Sequence, residues 1–207
     1  MEQQWEGLAA GALPCGSAIL GPDGKVVSAG RNHAYDPAGE VKTRVRAPLQ
    51  HNRLAHAELN AIALIPTEID HYSLTLWSTQ HPCLMCAAAI RFVGIGSVRY
   101  IADDPSDDSP QETIAASRLG VPYEAPGDPF WWTVSNLLFL YNSAVQHREE
   151  TRNIKLNRAL HPKLVRLTSE LAKGDKLGEP SRSGTALPEA LMPYSNAILE
   201  AARAAPV

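Results

Sequence analysis

A chain of 207 residues, 44% hydrophobic and 20% charged, is long and apolar enough for one domain with a sizeable core and a small appendage, which excludes wholesale disorder. Its net charge of −3 argues against a dedicated polyanion binder. No apolar run approaches the length of a membrane span, and Met1-Glu2-Gln3-Gln4-Trp5-Glu6 has neither the basic nor the apolar region of a signal peptide.

Cys15 to Leu20 reads as a buried strand. Gly21-Pro22-Asp23-Gly24 then supplies turn chemistry, and Lys25 to Gly30 can pair back as a hairpin. Residues 31–53 are polar and broken by Pro37, Gly39 and Pro48, hence a long loop. Leu54 to Ile65 has helical apolar spacing and stops at Pro66. Leu74 to Thr79 is a strand. Pro82 opens a second helix, Cys83 to Val93, which Gly94 ends. Ser97 to Ile101 is a strand, Gln111 to Leu119 a helix capped by Gly120, and Val121 to Tyr123 a short strand. Strands alternating with helices predict a three-layer α/β/α fold around a sheet with parallel neighbours.

Beyond this the pattern changes to helices. Val134, Leu137, Leu138, Tyr141 and Val145 recur at helical spacing, and a second amphipathic stretch spans about Arg152 to Leu171. Gly174 to Pro193 is rich in Gly, Pro and Ser and reads as a linker or loop, and Ser195 to Ala204 as a short terminal helix. The expected organisation is a core domain over 1–128 and a helical extension over 129–207, packed on the core or at a subunit interface. Large apolar residues on several sides of the 131–141 segment predict a partner subunit, in the simplest case a homodimer.

Three cysteines make a poor disulfide framework and fit a reducing cytoplasm. Two of them stand in Pro82-Cys83-Leu84-Met85-Cys86, at the start of one predicted helix. His56-Ala57-Glu58 stands near the start of the helix before it. One His and two Cys are the donor set that suits zinc, and three ligands leave a fourth position open, as catalytic zinc requires. Helix N-termini favour thiolate and therefore metal binding. Residues two apart diverge by about 200° around a helix, so His56 and Glu58 converge only at the helix mouth. That leaves Glu58 near the metal without ligating it.

These residues resemble the signature of the cytidine/deoxycytidylate deaminase superfamily, H-x-E followed by P-C-x-x-C, here separated by residues 59–81. The resemblance covers roughly residues 8–125. With His56 as first ligand and the entry Leu13 to Leu20, it is similar to the tRNA-adenosine and guanine deaminase branch. It implies a mixed five-stranded sheet, a zinc cofactor held by His56, Cys83 and Cys86, a catalytic proton shuttle at Glu58, and oligomers. It also implies hydrolytic removal of an exocyclic amine from a nucleobase-like ring, with Asn32, Ala57 and His81 as substrate-binding candidates. In two places the chain departs from that branch. His81 stands where a Glu usually precedes the Pro-Cys, and Asn32 lies about a dozen residues too far before His56, so an insertion borders the pocket.

Other features have simpler readings. Cys15 belongs to the core, Lys42, Arg44 and Arg46 to a solvated loop, and Phe130-Trp131-Trp132 to packing. Two segments carry uneven charge. Residues 102–130 hold Asp103, Asp104, Asp107, Asp108, Glu112, Glu124 and Asp128 against Arg118 alone, whereas 145–182 is basic with interleaved acids. The favoured function is deamination of a small base or nucleoside, with nucleic acid unlikely as a partner. A tRNA-editing adenosine deaminase is the alternative, and a non-catalytic zinc module is disfavoured because Glu58 is present.

Overall fold

The computed structural model of the chain describes residues 1–36, 47–103, 118, 120–125, 127–147 and 151–205. Lys42, Arg44, Arg46, the acids Asp104, Asp107 and Asp108, and nearly all of the helix expected over 111–119 lie outside them.

Helix α1, Glu2–Ala9, precedes the first strand and was not anticipated from the sequence. Strands β1, Gly16–Leu20, and β2, Val26–Arg31, pair antiparallel as the hairpin expected from the Gly21 to Gly24 turn. Helix α2 spans Ala57–Ile62. It is shorter than the predicted 54–65 because His56 is extended and serves as its N-cap, while Leu54 closes a turn on the Asn52 side chain. Strand β3, Thr75–Gln80, leads into α3, Leu84–Val93, which Gly94 ends in the left-handed conformation at φ 86°. Strands β4, Ser97–Ala102, and β5, Tyr123–Glu124, complete a sheet of order β2-β1-β3-β4-β5. β1 is antiparallel to both of its neighbours, whereas β3, β4 and β5 run parallel. This is the expected mixed five-stranded α/β fold.

Two apolar clusters form the core. Ile19, Leu74, Leu76 and Val98 from the sheet meet Ala61 and Ile90 from α2 and α3 in one of them. Gly30 sets the spacing on this side. A Cβ there would lie 2.7 Å from the Ala57 carbonyl oxygen, so glycine is what lets α2 lie flush on β2. The other cluster joins Trp5, Leu8 and Ala102 to Trp132, Val134, Leu137 and Tyr141 of α4, Pro129–His147.

The C-terminal segment therefore packs on its own chain. The residues from Val134 to Tyr141 are buried without a second subunit, so they no longer argue for one. Trp132 is buried against His161, while Trp131 remains 37% exposed. Polar contacts lock α4 to the end of β3. Ser135 Oγ donates to the Thr79 carbonyl at 2.6 Å and accepts from Gln80 at 3.1 Å, and the buried Gln4 amide bridges Pro14 and Ser135. The site loop begins one residue beyond Gln80.

The amphipathic stretch expected over 152–171 is helical and divides into α5, Arg152–Leu160, and α6, Pro162–Ala172, because Pro162 starts a new helix and His161 leaves helical geometry. The segment 174–193 is not a linker. It contains α7, Gly178–Arg182, and α8, Leu187–Leu191, before α9, Ser195–Ala202. Its Gly, Pro and Ser content is overridden by burial of Leu177, Leu187 and Leu191 in the second cluster. No helix among the described residues is long and apolar enough to cross a membrane.

Candidate active site

His56 and Cys83 are the N-caps of α2 and α3, both with extended backbones, at φ −72°, ψ 155° and φ −63°, ψ 168°. Each side chain therefore stands at the mouth of its helix. Cys86 lies one turn into α3 and is fully buried. The three donor atoms form a nearly equilateral triangle. Sγ of Cys83 and Sγ of Cys86 are 3.7 Å apart, and each lies 3.6 Å from His56 Nδ1. Zinc at about 2.3 Å from sulfur and about 2.0–2.1 Å from nitrogen has tetrahedral edges of about 3.8 Å between sulfurs and about 3.5 Å from sulfur to nitrogen. The observed triangle matches those edges, and among the described residues no fourth His, Cys, Asp or Glu joins the group.

The electrostatics fit the same cation. Contact with Cys86 is the main influence holding the Cys83 thiol down to about 4, with His56 adding to it against the opposing effect of burial. Cys86 moves well above its usual range through the same contact and through burial. His56 is raised chiefly by its contact with Cys83. A divalent metal competes with protons for these three donors.

Glu58 sits in the first turn of α2 and is only 6% exposed. Its Oε1 accepts a 2.9 Å hydrogen bond from Ser78 Oγ on β3, and its Oε2 lies 3.5 Å from Cys86 Sγ. Burial pushes this carboxyl above the ordinary range, and the charge on Cys83 adds to the effect. The result is a carboxyl held beside the triangle without belonging to it, able to hold or release a proton. Ser78 was not singled out from the sequence. Its two-residue spacing from the core residue Leu76 was the available signal, because it places both on one face of β3.

The remaining candidates are distributed as follows. Ala57 is buried at the first position of α2, between His56 and Glu58. His81 donates its backbone N–H to the Ala102 carbonyl at 2.7 Å, and its ring meets Tyr100 edge-on at 4.7 Å. The imidazole accepts a hydrogen bond from the guanidinium of Arg118, which lies 4.7 Å from the Tyr123 ring centroid. Burial raises the Tyr123 phenol, and the charges of Cys86 and Glu58 contribute to the rise. Arg118 and Tyr123 thus border the site through contacts between distant segments, which spacing cannot reveal. Asn32 is buried just beyond β2, with its Oδ1 accepting from the Ala34 N–H at 2.9 Å.

Cys15 stands apart from the triangle, half-buried against the second apolar cluster. Cys15→Ala should therefore leave the zinc content unchanged. Metal loss in that variant, measured on purified protein, would mean that the ligand set is wrong.

Residues 1–102 match the family model described as the cytidine and deoxycytidylate deaminase zinc-binding region. No curated protein matches the chain. Among solved structures, NE0047 in complex with 2,6-diaminopurine is similar over 70% of this chain and 78% of its own, with 19% identity and a TM-score of 0.50, a likeness of fold. A guanine deaminase from Nitrosomonas europaea is 18% identical, covering 69% of this chain and 80% of its own at a TM-score of 0.49. A tRNA:A34 deaminase is 25% identical, covering 52% and 74% at a TM-score of 0.40. The matched region contains the whole His56, Glu58, Cys83 and Cys86 constellation, and the chain belongs to the zinc-binding cytidine and deoxycytidylate deaminase superfamily.

Proposed function

We propose that this chain is a hydrolytic deaminase of a small aminated nucleobase or nucleoside, with a ring of cytosine, adenine or guanine type. The observation that carries the reading is the buried Glu58 carboxyl, fixed by Ser78 next to a three-donor metal triangle. His56, Cys83 and Cys86 hold the zinc. Bound zinc is a Lewis acid that brings the pKa of water toward neutrality. Glu58 takes a proton from the water that adds to the ring carbon bearing the amine, and passes it to the adjacent ring nitrogen. It then takes the remaining hydroxyl proton and delivers it to the amine as the C–N bond breaks. Ammonia leaves, and the ring keeps a carbonyl. The Ser78 hydrogen bond keeps Glu58 Oε1 in place through both transfers, and Asn32 orients the ring.

Charge supports a small substrate over RNA. β3 and β4 are parallel, so their carboxyl ends share one edge of the sheet, and His81 is bonded there to Ala102. The exposed Asp103, the residue after Ala102, therefore stands beside the metal loop. A carboxylate at that point repels a phosphate backbone while tolerating an uncharged ring. The basic residues of α5 and α6 belong to helices packed on each other and on α4 rather than on α2 and α3. A homodimer in the cytoplasm completes the reading. Phe92 on α3, which is 92% exposed, is apolar surface of the kind a partner covers, and a Cys pair used for metal fits a reducing compartment.

Ammonia release from a panel of purines, pyrimidines, their nucleosides and an anticodon stem-loop RNA tests the proposal. Turnover of a free base or nucleoside is the expected result. If only the RNA is deaminated, and its binding weakens steeply with salt, the chain is a tRNA-editing enzyme instead.

A further inference from the structure

The chain leaves β2 through three charged or titratable side chains folded into one buried knot. Arg31 donates to both oxygens of Asp36, at 2.7 and 3.1 Å, and His33 Nδ1 lies 2.8 Å from Asp36 Oδ2. Arg31 and His33 are each 7% exposed. Arg31 and His33 together keep the Asp36 carboxylate ionised despite its burial, so the proton on the shared edge belongs to His33 Nδ1. An ion pair buried this deeply is a poor source of net stability, because desolvating its charges offsets their attraction. Its geometry is specific, however, and Asn32 lies at its centre.

Asn32 is held by the knot, by the residue that precedes β1 and by its own turn. Arg31 donates to the Asn32 backbone carbonyl at 2.9 Å, and the Asn32 N–H donates to Cys15 O at 3.0 Å. The Ala34 N–H points at the Asn32 side chain from 2.9 Å. An N–H can face only the amide oxygen, which settles the orientation of the side chain and turns Nδ2 away. Among the described residues Nδ2 has no hydrogen-bond partner, although Asn32 is only 2% exposed. The knot also reaches the metal segment. The His33 N–H donates at 2.8 Å to the carbonyl of Ala55, the residue before His56, and the His51 N–H donates to the His33 carbonyl at 3.1 Å.

We propose that the Arg31–Asp36–His33 knot is a positioning device that holds Asn32 in register with His56. It presents Nδ2–H as a fixed donor to a carbonyl oxygen or unprotonated ring nitrogen of the substrate. The proposal rests on the deaminase reading and narrows it to rings that offer such an acceptor. Asp36 and Arg31 touch no substrate and act only through Asn32. The backbone of His33, one member of the knot, is bonded to His51 and Ala55 beyond the inserted loop, which accounts for how Asn32 serves the site from so far back in the sequence.

Two measurements test it on the zinc-loaded protein. The first is the side-chain amide signal of Asn32 in ¹⁵N–¹H spectra, assigned by its loss in Asn32→Asp. A sharp, dispersed proton pair is expected in the wild type and a broadened or averaged one in Asp36→Asn. His33→Gln, which cuts a single arm, serves if Asp36→Asn does not fold, with the same change in weaker form. The second is a double-mutant cycle on the best ring of the panel. Asp36→Asn alone should lower kcat/KM by about ten- to a hundredfold, the scale of a roughly 1 Å misplacement, with zinc content unchanged. Added to Asn32→Ala it should cost nothing more. Additive losses, or an Asn32 amide signal identical in wild type and variant, overturn the positioning role. If the wild type turns over no ring at all, the deaminase reading fails while the spectrum still decides whether the knot orders Asn32.

Discussion

Glu58→Gln is expected to lower kcat by about 10²- to 10⁴-fold, the range that general acid–base catalysis contributes, while zinc content and fold stay intact. Glutamine has the shape of glutamate and keeps an oxygen for the Ser78 hydrogen bond, so the position of the side chain is preserved. Glu58 is not one of the three donors, so the metal triangle loses nothing. What disappears is the carboxyl that, in the proposed mechanism, carries protons from water to the ring and the leaving amine. The substitution also replaces a carboxyl that burial disfavours in its charged form, so thermal stability should hold steady or rise. A thermal melt and a zinc assay on the same preparation separate lost chemistry from lost structure. A variant that turns over at the wild-type rate would remove Glu58 from the mechanism.

Cys83→Ala should abolish stoichiometric zinc binding. Wild-type protein should carry one zinc per chain, and the variant should lose more than the roughly 10–100-fold in affinity that removal of an outer-shell partner costs. The physical reason is that two donors cannot close three sides of a tetrahedron. Cys83 is also the donor already held as thiolate, with its pKa pulled down to about 4. Chelation of the wild type should abolish turnover, and added zinc should restore it. Because the ligands must shed protons to bind, zinc uptake should release protons and weaken as pH falls. Full zinc content in the Cys83 variant, measured by metal analysis, would refute the ligand assignment.

The metal triangle is legible from the sequence because its signals are local. His56-Ala57-Glu58 and Pro82-Cys83-Leu84-Met85-Cys86 each sit at a helix start, and N-caps are set by neighbouring residues. The strands are legible for the same reason, since alternation and turn chemistry are short-range. The boundaries of α2 are less so, because where its first turn begins depends on the extended backbone of His56 rather than on apolar spacing.

Long-range contacts decided the rest. Composition makes 174–193 a linker, yet Leu177 and Leu187 find apolar partners in helices far away in the chain and the segment folds. The apolar residues around α4 look like an interface until α1, β4 and the helices after it are seen to cover them. Ser78 joins Glu58, and Arg118 joins His81, across elements whose register no spacing rule supplies. Asn32 shows the division within one residue. Its identity as a candidate came from the family resemblance, which implies a base-binding Asn after the second strand. The orientation of its amide came from the Ala34 N–H, while its backbone is held by Arg31 and Cys15. Spacing along the chain specifies which donors can share a helix mouth, but burial and hydrogen-bond partners arise from packing between segments, and those determine which polar groups are left to meet a substrate.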